Sequence, residues 1–136
     1  MKNYPRVILL DDDQFALTIA TKVVRDYIRR IEVLPFSACE EAIECLEADY
    51  SKGEFPETVL LTDLHMPGMD GFCLLDRIEN ASEAMKERLH VFVLSAAACP
   101  DEIRKVLAYR CVTGFYDKPL SMSKMARIMA CVLYQL

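Results

Sequence analysis

The sequence lacks several features that assign a chain quickly to a function class. It has no tryptophan, four glycines and two histidines among 136 residues, and none of its six cysteines forms a Cys-x-x-Cys pair. So few histidines and no such pair argue against a zinc site. An excess of basic residues is also missing, because 16 Lys and Arg face 21 Asp and Glu for a net charge of -5. This balance disfavours direct contact with nucleic acid, whose binding modules carry a net basic face.

Long apolar runs are missing as well. The longest uncharged stretch, Leu89 to Pro100, has 12 residues, and a membrane span needs about 18–20. The first residues carry charges at Lys2 and Arg6 and acids from Asp11, which does not resemble a signal peptide. The composition is 53% hydrophobic and 27% charged, which suits a folded core and excludes intrinsic disorder. We therefore expect one soluble cytoplasmic domain over residues 1–136, without membrane contact.

Two hydrophobic periods alternate along the chain. Short apolar runs predict strands, and segments with apolar residues at helical spacing follow each of them. The predicted strands cover residues 6–10, 31–36, 58–62, 91–94 and 112–116. Five βα units of this kind predict an α/β fold with a parallel sheet covered on both faces.

Two local patterns carry expectations of their own. Ser37-x-x-Glu40 has the spacing of a capping box and predicts the start of the second helix. The polar segment from Glu79 to Arg88 is expected either to extend the third helix or to form an inserted loop.

Polar residues stand where the predicted strands end. Asp11, Asp12 and Asp13 follow the first strand, Asp63 the third, Ser95 the fourth and Lys118 the fifth. Carboxyl ends of parallel strands share one edge of the sheet, where ligands bind in such folds. Converging carboxylates repel one another unless a cation neutralises them, and hard oxygen ligands suit Mg²⁺. An Asp beside Mg²⁺, a Lys and a hydroxyl is a plausible acceptor for a phosphoryl group. A single strand-end Asp, by contrast, is usually only a helix cap, which is the expected role of Asp13.

Four sequence blocks resemble the receiver domain of two-component response regulators, including its stand-alone, chemotaxis-regulator-like members. They occur in order over essentially the whole chain and read Val7-Ile-Leu-Leu-Asp-Asp12, Leu60-Leu-Thr-Asp-Leu-His-Met-Pro-Gly-Met-Asp-Gly71, Val93-Leu-Ser-Ala96 and Gly114-Phe-Tyr-Asp-Lys-Pro119. The resemblance implies a flavodoxin-like, doubly wound sheet of five strands in the order 2-1-3-4-5. It also implies a signalling switch that catalyses only its own phosphorylation and dephosphorylation, with a histidine kinase or a histidine phosphotransfer protein as phosphoryl donor.

The resemblance also implies a role for each site residue. Asp63 is the expected phosphoacceptor, and Lys118 binds the phosphoryl group. The Mg²⁺ ligands are Asp12, Asp11 through water, Asp63 and the backbone carbonyl of His65. Ser95 and Phe115 take the positions of the switch hydroxyl and the switch aromatic, although Phe115 lacks the hydroxyl of a tyrosine. The resemblance further implies a cis bond before Pro119. The output is expected on the face formed by the fourth helix, fifth strand and fifth helix of the βα units, toward an unidentified downstream protein.

Three other interpretations are open to the same residues. A magnesium phosphohydrolase of the haloacid dehalogenase type would use Asp11 as nucleophile and Asp13 in an Asp-x-Asp motif, but Phe15 stands where that family favours Thr or Val. A flavodoxin-like cofactor binder would need a phosphate-binding loop after the first strand, where this chain has acids. A catalytic-base role for the His65 imidazole is the third.

Overall fold

Five parallel strands form one sheet in the order β2-β1-β3-β4-β5. The computed structural model describes residues 4–53, 55–66, 68 and 70–134, so Pro67 and Met69 of the third-strand motif lie outside the described residues. The strands are β1 (Arg6–Leu10), β2 (Val33–Phe36), β3 (Thr58–Thr62), β4 (Leu89–Ser95) and β5 (Val112–Asp117). The predicted fold class and strand order are confirmed.

The helices cover both faces of the sheet. Over the described residues they are α1 (Gln14–Tyr27), α2 (Cys39–Ser51), α3 (Gly71–Glu79), α4 (Glu83–Glu87), α5 (Pro100–Leu107) and α6 (Met122–Tyr134). Residues of α1 and α6 pack with one side of the strands, and residues of α2, α3, α4 and α5 pack with the other. Strands β1, β3 and β4 are buried along their whole length, as expected for central strands with helices on both faces. No helix in the described part of the chain is long and apolar enough to cross a membrane.

The structure corrects two local expectations. Residues 79–88 neither extend α3 nor form a loop, because α3 ends at Glu79 and the separate short helix α4 follows. The Ser82 hydroxyl caps α4 by accepting from the backbone N–H of Met85, and the Met85 side chain is buried in the core. The prediction that Ser37 and Glu40 form a capping box at the start of the second helix is also wrong. Helix α2 begins at Cys39 after Ala38 and has no side-chain cap.

The topology positions the site. The backbone N–H of Asp63 donates to the carbonyl of Leu10 at 2.9 Å, which carries the β1–β3 pairing one residue past the strand end. The residues that follow β1 and β3 are therefore neighbours in space. In the order 2-1-3-4-5, this is the point where the chain changes direction across the sheet and where a crevice opens.

Candidate functional site

Three carboxylates meet at this edge of the sheet. Asp11 and Asp12 follow β1 and Asp63 follows β3, and one ligand atom from each lies within 4.8 Å of the others. Asp11 is buried and Asp12 is exposed, so the cluster is open to solvent on one side. Asp13 is not part of the cluster. Its carboxylate accepts hydrogen bonds from the backbone N–H groups of Phe15 and Ala16, which confirms the predicted cap of α1.

Lys118 supplies the positive charge of the site. Its Nζ donates to Asp11 Oδ2 at 2.5 Å and to Asp63 Oδ2 at 2.9 Å. Burial alone lowers the pKa of this ammonium, but the hydrogen bonds to Asp11 and Asp63 outweigh burial and raise the pKa of Lys118 above its ordinary value. Lys118 is therefore charged at neutral pH and is shared between two carboxylates.

The Asp11 carboxylate is buried, which disfavours its charged form. Burial raises the pKa of the Asp11 carboxyl, and Lys118 together with the backbone N–H of Asp13 offsets only part of that rise. The attraction to Lys118 is thus smaller than the cost of removing the carboxylate from water. An added cation beside Asp11 would relieve that cost.

Asp63 is held at both of its oxygens. Oδ1 accepts from the backbone N–H of Leu64 at 2.7 Å, and Oδ2 accepts from Lys118. The side chain is 11% exposed, so it can be reached from solvent only over a narrow area.

Gly71 explains part of the motif that follows β3. Its N–H donates to the carbonyl of Leu64 at 2.8 Å, and a Cβ built there would lie 2.8 Å from both the Asp63 carbonyl oxygen and the Leu64 Cα. Only glycine allows this close approach between the start of α3 and the loop after β3. Asp70, just before it, caps α3 by accepting from the N–H of Cys73. The resemblance to receiver domains included this glycine in a sequence block but gave no physical reason for it.

Ser95 lies on β4, the neighbour of the strand that precedes Asp63, and Phe115 lies on β5, one strand further from it. Ser95 ends β4, is buried, and accepts through its carbonyl from the backbone N–H of Lys118 at 3.1 Å. Phe115 is half-buried on β5 and packs against the core on the α2–α5 side. The Lys118–Pro119 peptide bond is cis, as the resemblance to receiver domains implied.

The His65 side chain contacts α5. Its Nε2 lies 3.1 Å from Oε2 of Glu102, in the first turn of that helix. Sequence reasoning missed Glu102. The available signal was Cys99-x-x-Glu102, which has capping-box spacing, but cysteine is not among the preferred cap residues.

The donor set fits Mg²⁺. Oxygen ligands from one or two carboxylates with room for water are what Mg²⁺ takes in proteins, and here two of the three carboxylates are buried or nearly so while Asp12 faces solvent. Among the described residues, this cluster contains no sulfur or imidazole nitrogen, the ligands that would favour zinc.

A doubly wound sheet of order 2-1-3-4-5 with acids and a lysine at its carboxyl edge defines a flavodoxin-like α/β protein with an acidic crevice. A profile of the response regulator receiver domain matches residues 7–130, and the chain belongs to that family.

Individual relatives agree with this assignment. The chain is 28% identical to the two-component response regulator ORR3 of Oryza sativa subsp. indica over 124 residues, which cover 91% of this chain and 87% of the relative. It superposes on the two component response regulator from Cytophaga hutchinsonii with a TM-score of 0.87 and 27% identity, covering 98% of this chain and 99% of the other. The response regulator receiver protein from Dyadobacter fermentans shares the fold, with a TM-score of 0.85, 23% identity and coverage of 96% and 98%.

Proposed function

We propose that Asp63 accepts a phosphoryl group from a phosphohistidine of a histidine kinase or a histidine phosphotransfer protein. The observation that carries this proposal is the meeting of Asp11, Asp12 and Asp63 with the Lys118 ammonium, which donates to Asp63 itself. Such a set of charges can gather the oxygens of a phosphoryl group next to a carboxylate nucleophile.

The reaction uses the Asp63 carboxylate as nucleophile. A carboxylate oxygen forms a bond to phosphorus, the bond between phosphorus and the donor imidazole nitrogen breaks, and its electron pair stays on that nitrogen. Lys118, already within hydrogen-bonding distance of Asp63, can donate to a phosphoryl oxygen. Mg²⁺, when held by Asp11, Asp12, Asp63 and the His65 backbone carbonyl, supplies positive charge to the phosphoryl oxygens.

Phosphorylation is proposed to change a protein-binding surface. Ser95 is the last residue of β4, the strand beside β3, and Phe115 lies on β5, which pairs with β4. A new group on Asp63 can therefore draw the Ser95 hydroxyl and alter the packing of Phe115. The predicted output face corresponds to α5, β5 and α6, because α4 adds one helix to the count of βα units. Phe115 would move between an outward and an inward position when Asp63 is phosphorylated. Because Phe115 has no hydroxyl, these two positions would differ in burial and not in a side-chain hydrogen bond.

The chain acts, on this proposal, as one receiver domain over residues 1–136 and as a signalling switch. It turns over only its own aspartyl phosphate and passes the signal to a downstream protein in the cytoplasm. The net charge of -5 supports protein contact over direct contact with nucleic acid.

The proposal is tested by measuring the mass of the intact protein, which detects a phosphoryl adduct. The wild type, Asp63→Asn and Asp11→Asn are each incubated with acetyl phosphate and Mg²⁺, and with a phosphorylated histidine phosphotransfer protein. We expect one phosphoryl adduct on the wild type that Asp63→Asn abolishes. An adduct that survives Asp63→Asn and disappears with Asp11→Asn contradicts the proposal and favours the phosphohydrolase chemistry. A wild type that takes no phosphoryl group from either donor also contradicts it.

A further inference from the structure

A groove opens on the surface between α2, α3 and α4. Its volume is about 720 Å³, which lies in the range of about 300–1,000 Å³ that is typical of ligand pockets. The floor is apolar and is formed by four buried side chains: Ile43, Leu46, Ile78 and Met85. The described residues that line it do not include Asp63 or Lys118, so the groove is separate from the site at the edge of the sheet.

The short helix α4 and the residues before it form one wall of this groove. Ala81, Ser82 and Met85 come from the segment of residues 79–88, which the phosphoryl chemistry does not use. The Ser82 cap and the buried Met85 side chain hold the segment in place. The additional helix therefore has a structural consequence, because it turns the surface beside α2 and α3 into a groove.

The groove follows the axis of α2. Ile43, Leu46 and Tyr50 line it at spacings of three and four residues, so they share one face of the helix over about 10 Å. The Tyr50 side chain is 42% exposed, which leaves a large ring available near the end of α2. An amphipathic helix that binds a groove uses anchors at i, i+3 or i+4 and i+7, which span the same length.

The charge beside the groove is strongly acidic. Helix α2 has five acids and no lysine or arginine, whereas the rest of the chain has 16 acids and 16 Lys and Arg. The net charge of -5 is therefore equal to the charge of α2. Asp49 pairs with the buried Arg6. The other four acids of α2 are exposed to solvent: Glu40, Glu41, Glu44 and Glu47.

Arg77 offsets little of this negative charge. It is the one basic residue among the described residues that line the groove, and its Nη2 lies 2.5 Å from Oε1 of Glu47. Both side chains are more than half exposed, and exposed ion pairs are weak. A cation from a partner can therefore take the place of Arg77 beside Glu47.

We propose that the groove between α2, α3 and α4 binds an amphipathic helical segment of a basic partner protein. The apolar side of that segment lies on the groove floor and against Tyr50, and its Lys and Arg side chains face the exposed acids of α2. Apolar burial supplies affinity, and the acids select a partner of positive charge. This surface differs from the output face proposed on α5, β5 and α6, and the inference does not depend on phosphorylation.

A thiol footprint on the wild type locates the binding surface. Cys73 is exposed and lines the groove, while Cys99 and Cys131 are exposed outside it and serve as internal references. The probe is a designed peptide with leucine at i, i+3, i+4 and i+7 on one helical face and lysine elsewhere. At ten times its Kd, we expect the peptide to slow alkylation of Cys73 by iodoacetamide about tenfold and to leave the two references unchanged. Equal protection of all three cysteines, or none at Cys73, would overturn the inference.

Two further peptides separate the groove from simple charge attraction. One has the same composition in a scrambled order without an apolar face, and the other keeps the leucines but has glutamate in place of lysine. We expect neither to protect Cys73. Protection by the scrambled peptide equal to that by the designed one would overturn the inference. Alkylation of Cys73 that slows as the concentration of the protein alone rises would assign the groove to a second copy of the chain and also overturn it.

Variants of the groove measure each contribution, with circular dichroism to confirm that each variant folds. Tyr50→Ala is expected to weaken peptide binding about tenfold, because tyrosines often dominate such contacts, and Tyr134→Ala is the control. Binding that Tyr50→Ala leaves unchanged would overturn the inference.

A pair of double variants tests the acids of α2. We expect Glu44→Gln with Glu47→Gln to weaken binding of the lysine peptide about threefold to tenfold at low ionic strength. Asp26→Asn with Asp101→Asn removes the same charge at exposed positions on α1 and α5, and is expected to have little effect. Equal weakening by the two double variants would show that only the overall charge attracts the peptide, and would overturn the inference.

Discussion

Asp11 shows how a single residue of the site lowers the stability of the fold. Its carboxylate is buried, and burial raises its pKa despite the hydrogen bond from Lys118. A carboxyl group with a raised pKa binds its proton more tightly in the folded state than in the unfolded chain. The free energy of unfolding therefore falls as the pH rises from the ordinary pKa of 3.8 through the raised value, and the loss persists at neutral pH.

We therefore expect Asp11→Asn to stabilise the protein at pH 7 in the absence of divalent cations, by about 1 kcal/mol. The gain should vanish near pH 3, where the wild-type carboxyl is protonated. Urea unfolding at the two pH values measures it. Asp13→Asn is the control, because asparagine also caps helices and Asp13 is exposed. A variant less stable than the wild type at pH 7 would show that the pairing with Lys118 outweighs the cost of burial.

Gly71 controls the backbone beside the acceptor. A methyl group there would meet the Asp63 carbonyl and the Leu64 Cα at 2.8 Å. We expect Gly71→Ala to lower the free energy of unfolding by about 1–3 kcal/mol and to slow phosphorylation, because the backbone of Asp63 must shift. Gly53→Ala is the comparison, since Gly53 has open space but a φ of 75°. That change should cost about 1 kcal/mol and leave phosphorylation unaffected. Equal phosphorylation rates in the two variants would contradict this account of Gly71.

At the scale of elements, α5 and the segment that follows it contact α3 through polar groups as well as apolar burial. Val106 is the one buried residue of α5. On α3, Phe72 lies under the Lys105 ammonium and Asp76 accepts from the Tyr109 hydroxyl at 2.6 Å. Glu79 accepts from the backbone N–H groups of Arg110 and Cys111, just before β5. These contacts recur at helical spacing along one face of α3 and hold a helix of the proposed output face.

Tyr109→Phe tests that attachment. Burial and Asp76 raise the pKa of Tyr109 to about 12. The folded protein therefore keeps the phenol proton, which the hydroxyl donates to Asp76. We expect the variant to lose about 1 kcal/mol of unfolding free energy at pH 7. The difference from the wild type should shrink above pH 10, where the unfolded phenol ionises first. Tyr134→Phe, at an almost fully exposed position, is the control. Equal stability of wild type and Tyr109→Phe would contradict the attachment.

The sequence predicts regular elements better than short or irregular ones. The alternation of apolar runs and helical faces predicted all five strands, although β4 extends beyond the predicted residues 91–94 at both ends. Helix α4 was missed because five residues form little more than one turn, too short for a periodic pattern. The capping box predicted at Ser37 failed because Ser37 directly follows β2. The backbone is still paired with the β1 side there, since the Asp11 N–H donates to the carbonyl of Phe36.

At the scale of the whole molecule, topology assembles the site. Residues far apart in sequence meet because parallel strands end at one edge, so Asp11, Asp12, Asp63 and Lys118 could be expected together before their distances were known. The contact between His65 and Glu102 and the close approach of Gly71 to the loop after β3 could not be expected in this way. Both depend on how loops fold over the edge, and loop conformation leaves a weak signal in one sequence.

The most direct test of the central claim locates the phosphoryl group. After incubation with phosphodonor and Mg²⁺, borohydride reduces an aspartyl phosphate to homoserine, and peptide mass spectrometry finds the altered position. The account predicts homoserine at position 63 alone, and none when Mg²⁺ is withheld with a chelator. Homoserine at position 11 or 12, with Asp63 unchanged, would contradict it.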